Sequence, residues 1–418
     1  MNADSVLING GNPLNGKTVS IHGSKNSALP ILAATTLYEQ VTLTNVPDLL
    51  DIRNMLLIHN FLGTKTEFDK GTIHLDLTES QGKCITSYYS DKLRASSLFV
   101  GPLLAKYNKA EVGMPGGCAI GARPLDYHFN GFKALGATVT EKPEEGIIEV
   151  LAPNGLAGEH ELEFASVGAT ENLIMASVFS PSKVTLHNVA REPEIIDLIN
   201  FLNKGGAKIK FTDYTTIEIE GVKKLSAVEY KVKPDRIEAG TFLMAAFATK
   251  GAVTILGADQ EDLGFVIHKL REMGASIEVN KDAITLKYEG TIKPASIKTA
   301  IYPGFPTDLQ PQMSILMTQA EGTSKIDETI FENRLTHVSE LIKMGATVAV
   351  DKQTATIEPS KLTGAVVESF DLRGAAAMII AGLCADGTTR VTNLKYLYRG
   401  YENFIEKLKY LGADIAYG

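Results

Sequence analysis

A tripeptide recurs six times along this chain at nearly even spacing, and that period restricts the folds open to it. The copies are Leu62-Gly63-Thr64, Leu135-Gly136-Ala137, Gly205-Gly206-Ala207, Met273-Gly274-Ala275, Met344-Gly345-Ala346 and Leu411-Gly412-Ala413, with middle glycines 73, 70, 68, 71 and 67 residues apart. Each copy closes a helical pattern such as IIDLINFLNKGG or FIEKLKYLGAD, where glycine is the expected left-handed stop. Strand-like alternation follows, as in ASIEVNKDAITLKYEG, where Asn-Lys-Asp reads as a turn between two strands. Earlier in each copy comes a segment that is apolar nearly all round: LPILAATTL, SLFVGPLLA, NLIMASVF, TFLMAAFA, MSILMTQA and AAAMIIAGLCA. A helix without a polar face is a buried helix. The repeat is longer than the ~20–50 residues of common solenoids, so it predicts small α/β modules sharing a core of buried helices with sheets outside.

The ends of the chain refine this. The last copy stops at GADIAYG without the second strand of the others, while SVLING and TVSIHG stand spare near the N-terminus. The economical arrangement has Ser5–Asn9 completing the sixth repeat. Residues 1–24 with 233–418 then form a domain of repeats four to six. Residues 25–232 form an inserted domain of repeats one to three, with crossings near 20–25 and 229–235 acting as a hinge beside a cleft.

Composition excludes several classes. At 418 residues, 44% hydrophobic and 22% charged, the chain is globular rather than disordered. Its net charge of −8, from 41 Lys+Arg and 49 Asp+Glu, argues against nucleic acid as a partner. No apolar run approaches the ~18 residues of a membrane span, and the N-terminus lacks the basic and apolar regions of a signal peptide. The three cysteines, Cys84, Cys118 and Cys384, are too few for a disulfide framework. The expectation is a cytoplasmic protein. Its oligomeric state is not written in the sequence.

Candidate chemistry gathers where the buried helices begin: GSKNSALP, SDKLRASS, ASVGATEN, KPDRIEAG, FPTDLQPQ and FDLRGAAA. Ser24, Ser166, Thr307 and Asp371 read as N-caps. Lys25, Arg94, Arg236 and Arg373 are less expected there, because the helix dipole disfavours a cation at its N-terminus. Each alone is explained by a surface charge or an ion pair; four in equivalent positions also fit an anion site made jointly by helix ends and side chains. A second segment, MPGGCAIGARPLDYH at 114–128, sets Cys118 in a glycine-rich loop with Arg123 five residues on, where a cation eases thiolate formation. FENR at 331–334 and YRGYE at 398–402 are dense in charge, and a surface ion pair explains either. The histidines show no HxxxH or HxH spacing and the cysteines no CxxC, so no metal site is expected. Neither GxxxxGK[ST] nor GxSxG occurs.

Together KNSALPIL, LRASSLFVGPLLA, PGGCAIGARPLDYH, SVGAT, REPEI, PDRIEAGTF, FPTDLQPQ, TIFENR, DLRGAAA and RGYE resemble the UDP-N-acetylglucosamine 1-carboxyvinyltransferase family of enolpyruvyl transferases, in order, from about residue 5 to the C-terminus. The cysteine loop is the specific part, since the related 5-enolpyruvylshikimate-3-phosphate synthases share the repeat but not PGGCxIGxRP. The resemblance implies two inside-out α/β barrel domains, each of three repeated units with helices within. It also implies transfer of the enolpyruvyl group of phosphoenolpyruvate to the 3-hydroxyl of UDP-N-acetylglucosamine, the opening step of peptidoglycan synthesis, with no cofactor and no metal. The site residues it implies are Lys25, Asn26, Arg123, Arg373 and Arg399 around phosphoenolpyruvate. Arg94, Arg123, Pro124, Leu125, Asp126, Tyr127, Ser166, Val167, Gly168, Asp308 and Ile330 fall around the nucleotide sugar. Cys118 matches the proton donor and the site of fosfomycin alkylation, and an ordinary thiol with a pKa of about 8.5 is mostly protonated at neutrality. Lys25 and Arg399 join Cys118 and Asp308 in the catalytic set, with Asp308 as base or orienter and Arg334, Glu332, Glu192 and Asp371 in support. Phe164 stands where some members carry a lysine that contacts the diphosphate. A shikimate-phosphate sibling, an RNA 3′-phosphate cyclase relative and a non-catalytic paralogue are the alternatives; the cysteine loop disfavours the first and the negative charge the second.

Overall fold

A computed structural model of the chain describes residues 3–113 and 125–418. They form two compact units: a terminal unit of 3–22 with 234–418, and an insert unit of 23–113 with 125–233. The insert unit holds buried helices α1 (Lys25–Ala34), α2 (Val100–Tyr107) and α3 (Val167–Ser177). The terminal unit holds α4 (Arg236–Ala248), α5 (Gln310–Thr318) and α6 (Leu372–Cys384). Every residue of α4 after Arg236 is buried, as is every residue of α5. Such helices are stable only inside a core.

The sheets follow one scheme. A hairpin pairs antiparallel with a third strand, whose far side takes a strand running parallel to it. In the insert unit one sheet runs Lys65–Asp69, Thr72–Asp76, Gln40–Thr44, Val228–Lys231, and another Lys208–Phe211, Ile217–Glu220, Val184–His187, Gly158–Glu161. In the third, Thr138–Lys142, Ile147–Leu151 and Lys109–Gly113, the parallel edge shrinks to one bridge from Ile85 to Val112. The terminal unit has Ser276–Asn280, Ala283–Lys287, Ala252–Leu256, Asn15–Ser20 and Val348–Asp351, Thr354–Ile357, Ser324–Asp327, Ser296–Lys298. Its third sheet is Asp414–Tyr417, Ser5–Asn9, Thr388–Thr392, Val366–Glu368. Ser5–Asn9 is thus a central strand, antiparallel to both neighbours, with Val6 opposite Val391 and Tyr417. Val6 and Ile8 are fully buried.

Amphipathic helices precede the six marker glycines, and all six glycines have positive φ, between 90° and 105°. That is the left-handed stop the spacing predicts. Two helix starts differ from expectation. The segment around SLFVGPLLA is not one α-helix: Arg94–Phe99 is a 3₁₀ stretch and the α-helix begins at Val100. Thr307 is not an N-cap; it opens a 3₁₀ turn, Thr307–Leu309, ahead of α5. Proline contributes at both, although Pro30 is accommodated inside α1. Pro102 and Pro311 have no N–H for the carbonyls of Leu98 and Thr307, so the preceding turn tightens to i→i+3 bonding. Ser24, Ser166 and Asp371 do cap α1, α3 and α6.

Candidate active site

In the terminal unit the turn before α5 presents Asp308. Its Oδ1 accepts from Arg334 Nη2 at 2.9 Å, and its Oδ2 from Arg373 Nη2 at 3.0 Å and Nε at 3.3 Å. Both arginine side chains are 3% exposed, whereas Asp308 is 26% exposed. The dense charge at 331–334 is therefore not a surface ion pair: Arg334 is buried on Asp308 and the neighbouring Glu332 is exposed. Two guanidinium groups thus converge on the one carboxylate of Asp308.

Arg373 lies in the first turn of α6, where Asp371 Oδ1 accepts from the backbone N–H groups of Arg373 and Gly374 at 2.9 and 3.1 Å. The aspartate offsets the cost of a cation at that helix end. Burial works against the Arg373 charge; the Asp308 carboxylate, together with Tyr401, outweighs it and holds the guanidinium above its ordinary value. The Tyr401 ring lies 5.2 Å from the Arg373 guanidinium carbon, and its hydroxyl is held by Thr241 Oγ1 at 2.9 Å and Gln312 Nε2 at 3.0 Å. Arg399 ends the 3₁₀ stretch Leu394–Arg399, and Gly400 lets that turn press on the start of α6. A Cβ at Gly400 would sit 2.5 Å from Leu372 Cδ1. Arg373 and Arg399 are thereby carried by touching segments.

In the insert unit Lys25 Nζ lies 3.2 Å from Asp51 Oδ2, with the side chains 12% and 2% exposed. Asn26 follows, partly exposed. The helix Asp126–Ala134 displays Asp126 to solvent and half-buries Tyr127. One turn in, His128 is buried, and Asn172 of α3 reaches it: Asn172 Nδ2 lies 2.9 Å from His128 Nδ1 and 2.9 Å from Ser97 O, while Asn172 Oδ1 accepts from Gly101 N at 2.8 Å. An amide NH₂ only donates, so His128 Nδ1 accepts and Nε2 carries the proton. Burial, helped by Arg94, pushes the His128 pKa down to about 4 and keeps the ring neutral. A Cβ at Gly168 would lie 3.3 Å from that ring. His128 and Asn172 thus tie together the segments bearing Arg94, Leu125, Asp126, Tyr127, Ser166, Val167 and Gly168. Phe164 is exposed and stacks on Tyr127, with centroids 6.1 Å apart and planes at 29°. Glu192 precedes the helix Pro193–Lys204 without capping it. Burial, with Glu194 and Glu192 nearby, raises the carboxyl of Glu171 well above its ordinary value.

Cys118, Arg123 and Pro124 lie outside the described residues. Ile330 is half-buried beside Phe331. Of the four cations at helix starts, Lys25 and Arg373 are ion-paired within the protein, and Arg236 lies 5.9 Å from the Tyr302 ring centroid. Cys384 packs, partly buried, against the core. Among the described residues no group of His, Cys, Asp and Glu could hold a metal ion, and no helix is long and apolar enough to cross a membrane. Sequence reasoning passed over Asp51, His128, Asn172 and Tyr401. A signal existed for Asn172 and, through its partners Thr241 and Gln312, for Tyr401: all three are polar side chains within otherwise apolar buried helices, and buried polar groups are kept where they bond something.

Over residues 8–408 the chain matches the family described as EPSP synthase (3-phosphoshikimate 1-carboxyvinyltransferase). The chain belongs to this enolpyruvyl transferase family. Within the family it is 46% identical over 418 residues to UDP-N-acetylglucosamine 1-carboxyvinyltransferase 1 of Staphylococcus epidermidis, covering 99% of each chain. It is 47% identical over 416 residues to UDP-N-acetylglucosamine 1-carboxyvinyltransferase 2 of Carboxydothermus hydrogenoformans, again covering 99% of each. Among solved structures of enolpyruvyl transferases, NikO from Streptomyces tendae aligns with a TM-score of 0.89 at 24% identity over 99% of both chains. EPSP synthase from Acinetobacter baumannii aligns at 0.76 and 18% over 99% of both. These likenesses establish the α/β fold that the chain shares with other enolpyruvyl transferases, and the family resemblance read from the sequence motifs is borne out.

Proposed function

We propose that this protein transfers the enolpyruvyl group of phosphoenolpyruvate to the 3-hydroxyl of UDP-N-acetylglucosamine and releases phosphate, the first committed step of peptidoglycan precursor synthesis. The observation that carries the reading is Asp308 held between two buried guanidinium groups. A carboxylate that can take or orient a hydroxyl proton stands against cations suited to an anionic donor. The names of its relatives at 46–47% identity support the choice of acceptor. In the reaction the acceptor oxygen bonds to the central carbon of phosphoenolpyruvate as Asp308 takes or orients its proton. Cys118 gives a proton to the methylene carbon, and a tetrahedral intermediate forms. Loss of a proton from the new methyl group then expels phosphate and restores the double bond. Lys25, Asn26, Arg123, Arg373 and Arg399 hold the donor, with Arg334 behind Asp308. Arg94, the 123–127 segment, the start of α3 and Ile330 hold the nucleotide sugar. Phe164 on Tyr127 replaces a cationic diphosphate contact with an aromatic surface.

The same reading takes residues 1–24 with 233–418 and 25–232 as two inside-out barrels of three repeats each. Three sheets and three buried helices in each unit support it. The enzyme is read as cytoplasmic, acting on small molecules without cofactor or metal. Phosphate release from phosphoenolpyruvate is the deciding assay, run first with UDP-N-acetylglucosamine and then with shikimate 3-phosphate as acceptor. Turnover with the first alone is expected; turnover with the second alone would assign the sibling activity. Fosfomycin should add its mass to Cys118 and abolish turnover, and Cys118→Asp should resist it. An unmodified Cys118 after exposure would remove it from the proton-donor role.

A further inference from the structure

Glu328 belongs to none of the residue sets above, yet it joins two of them. It follows the strand Ser324–Asp327 and is 2% exposed. Its Oε1 accepts from Thr299 Oγ1 at 2.9 Å and from the backbone N–H groups of Ile330 and Phe331 at 2.8 and 3.1 Å. Its Oε2 accepts from Thr307 Oγ1 at 3.0 Å. Thr299 is locked in turn: its Oγ1 accepts from Thr329 N at 2.8 Å and its carbonyl from Thr329 Oγ1 at 2.6 Å.

Four protein donors satisfy this carboxylate, three of them on Oε1 and one on Oε2. Three separate segments meet at this side chain: the stretch after Ser296–Lys298, the turn carrying Asp308, and the loop carrying Ile330 and Arg334. The hydroxyl that sequence reading assigned to a helix cap, that of Thr307, is the link to the Asp308 turn. Burying a carboxylate is costly unless its bonds are complete. An apolar residue would fill the same space at less cost but could not tie two loops together.

We infer that Glu328 is a positioning residue for the acceptor half of the reaction, fixing Asp308 and Ile330 in one geometry against the sugar. This rests on the function proposed above. Breaking the link should loosen acceptor binding more than phosphoenolpyruvate binding, since Ile330 serves the acceptor alone while Asp308 also holds Arg373. Thr307→Val removes one hydroxyl and keeps the shape, whereas Thr307→Ser keeps the hydroxyl.

Steady-state phosphate release is measured with each substrate varied in turn, alongside thermal melting. In Thr307→Val the KM for UDP-N-acetylglucosamine should rise about tenfold, with a smaller rise, about threefold at most, in the KM for phosphoenolpyruvate. Thr307→Ser should return both to within twofold of wild type. If Thr307→Val does not melt cooperatively, Thr307→Ala reads the same link, because it removes the hydroxyl that donates to Glu328 Oε2 and adds no new group. An unchanged acceptor KM, or equal rises for both substrates, overturns the inference while wild type remains active. Wild type that is inert with UDP-N-acetylglucosamine overturns the functional reading, and this inference with it.

Discussion

At Asp308 one carboxylate serves two buried guanidinium groups, and its chemistry and its structural role are inseparable. Removing only the charge should therefore show in two measurements. Asp308→Asn leaves Arg334 and Arg373 buried against a neutral amide, and a broken buried pair typically costs about 3 kcal/mol, read by urea unfolding. The lost base or orienter should lower phosphate release by about 100-fold or more. A rate loss with unchanged stability would mean that the arginines are neutralised elsewhere. The identity of these residues was legible in FPTDLQPQ, FENR and DLRGAAA, but their pairing was not. Arg334 reads as a surface charge because Glu332 is two residues away, and only the fold shows that its partner lies 26 residues earlier. Asp51, His128 and Tyr401 were missed for the same reason. Each gains its role from a residue distant in the chain, and local pattern carries no trace of that.

At the scale of elements, the glycine stops were the most readable feature because backbone geometry demands them. Gly206 has φ of 104° with nothing near an added methyl, so Gly206→Ala tests backbone strain alone. It should lose about 1–2 kcal/mol in urea unfolding, and Gly206→Asn should recover part of that, since asparagine tolerates the left-handed region. A neutral Gly206→Ala would deny the stop its role. What the apolar runs concealed was the tight turn before α2 and before α5. Hydrophobic periodicity reports which face is buried and is blind to one missing N–H, so Pro102 and Pro311 carried information that the pattern of apolar residues did not.

For the molecule as a whole, three buried histidines make stability depend on pH. His59 donates from Nε2 to Leu32 O at 2.8 Å. Burial brings its pKa from 6.5 down to about 4, and burial does the same to His128 and His337. The unfolded chain takes up these protons near pH 6.5 while the folded chain refuses them until about 4. Their contribution is therefore complete above pH 6.5 and lost as the pH falls through that window. Glu171 and Asp197 act in the opposite sense: burial raises both carboxyls, so each disfavours folding as the pH rises past the ordinary carboxyl range. The urea midpoint should drop between pH 6.5 and 4, and less steeply in His59→Gln; equal slopes would show that His59 protonates freely in the fold. The sixfold period exposed the modular plan early, whereas these titrations depend on burial that composition does not reveal. The place of Ser5–Asn9 between Thr388–Thr392 and Asp414–Tyr417 has a consequence for the order of assembly. On the ribosome this strand emerges before the whole insert unit, and both of its neighbours come about 400 residues later. The insert unit can settle while synthesis continues, but this sheet must wait. Until then an apolar strand stands unpaired, and its sheet closes only when segments about 400 residues apart come together.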